Sequence, residues 1–357
     1  MTNVLALVTD AYGGRGGIAQ YNRDFLSALA SVESKVVVLP RHAPDAKRPP
    51  NGVEQRPARF GRLAYSWSAI TEALRMKPDI VFCGHVFMAP LAWLAAKLAR
   101  AKLVIQTHGI DAWPRPSKFV RVACEQAAMI LSVSRYTRAR VLDWAVMPPE
   151  RVVVIPDTVS DCFTPGNGAA LRREWNLEGR KVLLTVGRMA ASERYKGHDR
   201  VIKALPDLIA AGIDIMYVIA GEGDDRPRLE QLAREVGVSD RLRFVGALPL
   251  DTLIEAYRMA DLFVMPSTGE GFGIAFLEAM ACGTPALGLD VAGARDALCE
   301  GKLGQAAIEK EFGATLARMI ATTRPDSEML SNAVWERFGR DHFSNAVRSA
   351  ILRPLEA

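Results

Sequence analysis

The sequence predicts two consecutive α/β domains, each with a parallel sheet covered by helices on both faces. Short apolar runs alternate with longer amphipathic patterns along nearly the whole chain, which is the signature of βαβ units. The alternation is interrupted once, by a segment rich in Pro and Gly, and 357 residues is about the length of two domains. Composition agrees, since 49% hydrophobic and 24% charged residues exclude a chiefly disordered or fibrous chain.

The first series of strands is expected near 3–9, 35–39, 79–83, 102–107, 129–133 and 151–155. The apolar run Val4–Val8 is too short for a signal-peptide core and reads as the first strand, followed by a helix from Ile18 to about Ala30. Phe60, Leu63, Trp67, Ile70 and Leu74 are spaced 3, 4, 3, 4, with Arg56, Arg59, Arg62, Arg75 and Lys77 around them, so a basic amphipathic helix is expected there. Its apolar stripe either packs on the sheet or lies at a membrane interface. The longest apolar stretch, Ile80–Ala96, is broken by Gly84, His85 and Pro90, which argues for strand, turn and helix rather than a membrane span.

Pro156–Arg180 carries Pro165, Gly166, Asn167, Gly168 and Gly179, the composition of a linker, with a short helix expected around Leu171–Trp175. Strands resume near 181–187, 214–220, 242–245, 261–265 and 284–287, and past 307 only helical patterns remain. The domains are therefore placed at 1–160 and 161–338. Ligands of open α/β sheets bind at the carboxyl ends of the strands, so two such domains facing each other are expected to form a central cleft.

The five cysteines form no C-x-x-C pair and lie in apolar contexts, which fits a reducing compartment and offers no zinc site. The net charge of +5 hides a more basic front half. A basic face attracts nucleic acid, anionic membrane or phosphate-bearing ligands, but no nucleic-acid motif accompanies this one.

The chemistry-bearing residues fall at expected strand ends. Gly13-Gly14-Arg15-Gly16-Gly17 precedes a helix and suits a phosphate or a tight turn. His108 follows the strand ending in Gln106-Thr107. Arg188, Arg194 and Lys196 follow a strand and precede a helix, a place where cations suit a diphosphate. Glu270 sits in the glycine-rich turn Gly269–Gly273, and Glu278 is expected about two turns into an apolar helix. A carboxylate there needs hydrogen bonds, from ribose hydroxyls or from within the fold.

Together these motifs resemble the family 4 retaining glycosyltransferases of GT-B architecture, two Rossmann-like domains, over essentially the full chain. The resemblance rests, in order, on Gly13–Gly17, Thr107-His108-Gly109, Ser132-Val133-Ser134, Gly187-Arg188 with Lys196-Gly197, Gly221-Glu222-Gly223, Phe244-Val245-Gly246 and the E-x7-E pair Glu270/Glu278. It implies transfer of a hexose from a UDP- or GDP-linked sugar, with retained anomeric configuration and no metal or further cofactor. Arg188 and Lys196 would hold the donor diphosphate and Glu278 the ribose. Glu270 and the backbone of Gly271, Phe272, Gly273 and Ile274 would hold the sugar and phosphate, and Val245 and Gly246 would meet the base. Gly16 and Gly17 would close over the diphosphate, His108 would approach the reacting carbon, and a terminal helix from about 339 to 357 would pack back on the first domain. The acceptor would be a saccharide or a polyprenyl-linked one, in exopolysaccharide or cell-envelope glycan synthesis, with the enzyme cytoplasmic and peripheral at an anionic inner membrane face.

The chain departs from the family pattern at Ile155–Ser160, where relatives often carry Asn-Gly-Val, and at Val291-Ala292-Gly293, where a more polar loop is frequent. An NADP-dependent oxidoreductase would use the glycine loop and Arg41 but leaves Arg188, Lys196, Glu270 and Glu278 without a task. A non-catalytic nucleotide-sugar binding protein would need the donor contacts but no acceptor side.

Overall fold

The computed structural model describes residues 2–14, 16–30, 35–43, 48–322 and 324–356, with side chains to Ile351. They divide into one unit of residues 1–158 with 341–357 and a second of residues 159–340.

The first unit runs β1 (Asn3–Val8), α1 (Gly17–Ala30), β2 (Lys35–Pro40), β3 (Val53–Gln55), α2 (Arg62–Met76), β4 (Ile80–Cys83), α3 (Ala89–Ala99), β5 (Lys102–Thr107), α4 (Lys118–Glu125), β6 (Met129–Ser132), α5 (Arg135–Leu142) and β7 (Val152–Val154). Among the described residues its sheet is seven-stranded and parallel, in the order β3-β2-β1-β4-β5-β6-β7. Leu5 pairs with Val37 on one side and Val81 on the other, so β1 and β4 flank the point where the strand order reverses. Continuous apolar strands bury both sheet faces, and right-handed crossovers put α2, α3 and α4 on one of them. There Tyr65, Ala69, Ala92, Ala96 and Ala123 share a core with Leu5, Val81, Ile105 and Ile130.

The second unit runs α6 (Ala169–Glu174), β8 (Lys181–Val186), α7 (His198–Ala210), β9 (Ile215–Ala220), α8 (Arg226–Glu235), β10 (Leu242–Gly246), α9 (Leu250–Met259), β11 (Leu262–Met265), α10 (Ile274–Ala281), β12 (Ala286–Leu289), α11 (Ala294–Ala297), β13 (Gln305–Ala307), α12 (Phe312–Ala321) and α13 (Ser327–Phe338). Its described sheet is six-stranded and parallel, in the order β10-β9-β8-β11-β12-β13, with the reversal between β8 and β11. Asp261 ties the opening of this unit together, accepting from Arg172 at 2.7 Å and from the Val182 amide at 2.8 Å. The last helix, α14 (Arg340–Glu356), belongs with the first unit, where Phe343 meets the ring of Tyr21 edge-on at 5.8 Å.

Two differences from the sequence expectations have physical causes. The edge strands β3 and β13 have three residues each, and Glu54, Gln55 and Gln305 leave neither with an apolar run to read. Most of the 3, 4, 3, 4 stripe does not pack on the sheet: Ile70 meets the core, but Leu63 is 88% exposed and Trp67 74%. The buried face is instead Tyr65, Ala69 and Ala73, because small residues let α2 approach the sheet closely while the Tyr65 hydroxyl donates to the Leu39 carbonyl at 2.8 Å. The five cysteines are free thiols, and Cys83, Cys124 and Cys282 act as buried apolar residues. No described helix is long and apolar enough to cross a membrane.

Candidate active site

In the second unit the carboxyl ends of β8 and β11 bring the expected residues together at the strand-order reversal. β8 leads through Gly187 and Arg188 into a 3₁₀ turn, Ala191–Lys196, and β11 leads into the turn that holds Glu270. Lys196 Nζ donates to Glu270 Oε1 at 3.0 Å, both side chains about seven-eighths buried. Burial alone would lower the Lys196 pKa, but the charge and hydrogen bond of Glu270 outweigh it and raise it. One ammonium hydrogen serves Glu270, which leaves two donors for a ligand. Arg188 pairs with Glu193 and is 75% exposed. Arg194, by contrast, turns away to the buried Asp225 at 2.9 Å and anchors the loop.

Close backbone approaches hold these loops. A Cβ on Gly221 would stand 2.0 Å from the Gly187 carbonyl oxygen, and one on Gly269 would stand 2.8 Å from the Tyr195 ring. The Glu270 carbonyl accepts from the Gly293 amide at 2.9 Å. At the end of β10 the register shifts between Phe244 and Gly246, so Val245 leaves the regular ladder.

Gly273, with φ 103°, caps α10, which starts at Ile274. Glu278 therefore lies about one turn into the helix, a correction of the two turns expected from an earlier start. The free N–H groups of Gly271 to Ile274 form an anion-attracting end, whereas the Phe272 side chain is buried against Phe338. Glu278 accepts from the buried Tyr257 hydroxyl at 2.7 Å. Burial pushes the Glu278 carboxyl up to about 7, and the Tyr257 hydrogen bond opposes that rise. Tyr257, on α9, carries no local sequence signal, because it lies 21 residues before its partner.

In the first unit the carboxyl ends of β1, β4 and β5 form a separate edge. Arg23 donates to the carbonyls of Ala11 at 3.0 Å and Gly14 at 2.8 Å, Asn22 to that of Asp10, and Gln55 brackets the backbone of Tyr12. The glycine loop is thus clamped from outside. Arg15 lies outside the described residues; Gly16 has φ 88°, and a Cβ on Gly16 or Gly17 would meet nothing within 4 Å.

His108 Nε2 is 2.9 Å from the Gly84 carbonyl oxygen. A carbonyl only accepts, so the proton sits on Nε2 and Nδ1 remains an acceptor. Burial lowers the His108 pKa to about 4, which keeps the ring neutral at pH 7. Asp111, whose carboxyl burial raises to about 7, accepts from the His108 amide at 3.0 Å and fixes the turn. Among the described residues no group of three or more His, Cys, Asp or Glu side chains could hold a metal ion.

Comparisons with known proteins bear on the family and the fold. Residues 169–333 match the family model described as glycosyl transferases group 1, and residues 15–161 match that of Glycosyltransferase Family 4. The chain is 30% identical over 332 residues to a GDP-mannose-dependent alpha-(1-6)-phosphatidylinositol monomannoside mannosyltransferase of Mycolicibacterium smegmatis, covering 84% of each. It is 29% identical over 347 residues to a D-inositol 3-phosphate glycosyltransferase of Geodermatophilus obscurus, covering 90% of this chain and 76% of the relative. The solved structure of Anabaena HepE in complex with UDP-glucose superposes with a TM-score of 0.79 at 16% identity, over 99% of this chain and 100% of that one. Two parallel Rossmann-like sheets, family models over both and a relative aligned along most of its length lead to one conclusion: the chain belongs to the group 1, family 4 glycosyltransferases of GT-B architecture.

Proposed function

We propose that the protein is a retaining, metal-independent hexosyltransferase that uses a UDP- or GDP-linked sugar and a saccharide acceptor, free or polyprenyl-linked. It would serve exopolysaccharide or cell-envelope glycan synthesis from the cytoplasm, at the inner membrane face. The observation that carries this reading is the Lys196–Glu270 pair at the reversal of the second sheet, beside the free N-terminus of α10. Cations and oriented N–H groups there suit a diphosphate, and the carboxylates suit hydroxyls.

In the reaction the bond between the anomeric carbon and the phosphate oxygen breaks, and the acceptor oxygen attacks from the same face. Its proton passes to the departing phosphate oxygen. Negative charge grows on the diphosphate as the bond breaks, so Lys196, Arg188 and the amides of Gly271–Ile274 favour the transition state over the ground state. Glu270 would hold the sugar, and neutral His108 would accept from one of its hydroxyls through Nδ1. Val245 and Gly246 would meet the base through their backbone.

A thermal-shift panel with UDP, GDP, ADP and NADPH tests the class. One nucleoside diphosphate at 100 times its dissociation constant adds ~2.7 kcal/mol of stability, and the Lys196→Ala variant loses the effect. Stabilisation by NADPH alone overturns the reading.

The raised Glu278 pKa gives a pH signature. Below about 7 the folded protein keeps a proton that the unfolded chain releases, so this group makes the free protein more stable as pH falls from 7 towards its ordinary range. Ribose hydroxyls need the ionised form as acceptor, so nucleotide affinity rises as pH rises through 7. In Tyr257→Phe the carboxyl loses the bond that opposes its rise, and the affinity curve moves to higher pH. Calorimetric titration across pH 6–9 checks it, and superimposed curves would show that Tyr257 does not position Glu278.

A further inference from the structure

The two cations that the proposed reaction calls on each face a carboxylate in the free protein. Lys196 is paired with Glu270, and Arg188 with Glu193. All four charges meet around the Tyr195 ring. Burial raises the Tyr195 pKa, the charges of Lys196, Glu193, Glu270 and Arg188 act on it as well, and the Lys196 ammonium stands 5.8 Å from the ring centre. Glu270 has a task towards the sugar. Glu193 has none in that reaction, yet a carboxylate beside a diphosphate site opposes the anion it adjoins.

The two members of the Arg188–Glu193 pair are held very differently. The Glu193 side chain is 14% exposed and that of Arg188 75%. Glu193 sits where the 3₁₀ turn breaks, with φ −119° and ψ 28°, and its own amide donates to the Ala190 carbonyl at 2.8 Å. The turn is tied down on either side of it. The Ala191 amide donates to the Asp224 carboxylate at 2.7 Å, and the Thr268 amide to the Tyr195 carbonyl at 2.9 Å. The carboxylate is thus the fixed member of the pair, and the solvated guanidinium on its long side chain is the one free to move.

We propose that Glu193 is a positioning residue for Arg188: it holds the guanidinium in the free enzyme, yields it to the diphosphate as the donor binds, and takes it back as the nucleoside diphosphate leaves. Binding then gives up one ion pair to make another, so the product is held less tightly than an unpaired Arg188 would hold it. This deepens the glycosyltransferase reading and rests on it for the identity of the anion.

Calorimetric titration with UDP and with GDP, on wild type, Glu193→Gln, Arg188→Ala and the double variant, tests the exchange. Glu193→Gln keeps the size of the side chain and removes its charge. It binds whichever nucleotide the wild type binds about three- to fivefold more tightly, the scale of one exposed ion pair that is no longer given up. Dissociation, followed by stopped flow, slows by the same factor. In the Arg188→Ala background the Glu193→Gln change alters affinity by less than ~twofold. A Glu193 that merely braces the turn predicts the opposite sign, and weaker binding or faster release in Glu193→Gln overturns the proposal. An equal gain in both backgrounds overturns it too, since Glu193 would then repel the ligand directly. A wild type that binds neither nucleotide sinks the glycosyltransferase reading and this inference with it. Unchanged affinity in Glu193→Gln, beside a wild type that binds, sinks this inference alone.

Discussion

Lys196→Ala lowers turnover at least ~100-fold, the scale of losing one preorganised charge that acts on a developing anion. The loss falls on kcat more than on KM, because the diphosphate carries more negative charge in the transition state than in the bound donor. Glu270, about seven-eighths buried, is left without its ammonium partner, so some stability goes too. Steady-state kinetics well below the melting temperature of the variant separate the two effects. Near-wild-type turnover in a folded variant would refute the role of Lys196. Arg188→Ala is expected to cost catalysis without the stability loss, since Arg188 is largely exposed.

The second large effect is structural and sits one residue away. Gly197→Ala costs about 3 kcal/mol, from two sources that can be measured apart. Its φ of 80° is left-handed, which costs an L residue ~1–2 kcal/mol. Its Cβ would also stand 2.3 Å from the Pro266 carbonyl oxygen, so β11 and the Lys196 loop must separate. Gly212 provides the control, with φ 81° and nothing within 4 Å of a Cβ. Gly212→Ala loses the left-handed part alone. Urea unfolding reads the difference as a lower midpoint at unchanged slope. Equal losses in the two variants would show that the approach to Pro266 does not matter.

Most of the architecture was legible in the sequence because parallel strands buried on both faces are written as continuous apolar runs, such as Val4–Val8 and Ile215–Ala220. The edge strands β3 and β13, where polar residues break the run, leave no such trace. The orientation of α2 was not legible either. Periodicity reports that a helix has an apolar face but not which face meets the sheet, and here alanines at 69 and 73 made the contact. Candidate site residues could be read wherever they stood in glycine-rich turns after strands, as Lys196 and Glu270 do. Tyr257 and the Arg23 clamp bond partners well separated in sequence and have no local spacing to reveal them, whereas Asp111 accepts from the His108 amide within its own turn.

That α14 belongs with the first unit has a consequence for how the protein is made. Phe343 lies beside Tyr21 and Val347, Ala350 and Ile351 are buried on the same helix, but they are synthesised only after the 182 residues of 159–340. At ribosomal rates of ~5–20 residues per second, the earlier residues wait roughly 10–40 s for the helix that covers them. Throughout that interval the Tyr21 ring of the nascent chain lacks the edge-on partner that Phe343 supplies. Chains released short of residue 341 never gain that cover, so the first unit is complete only when the last helix has been made.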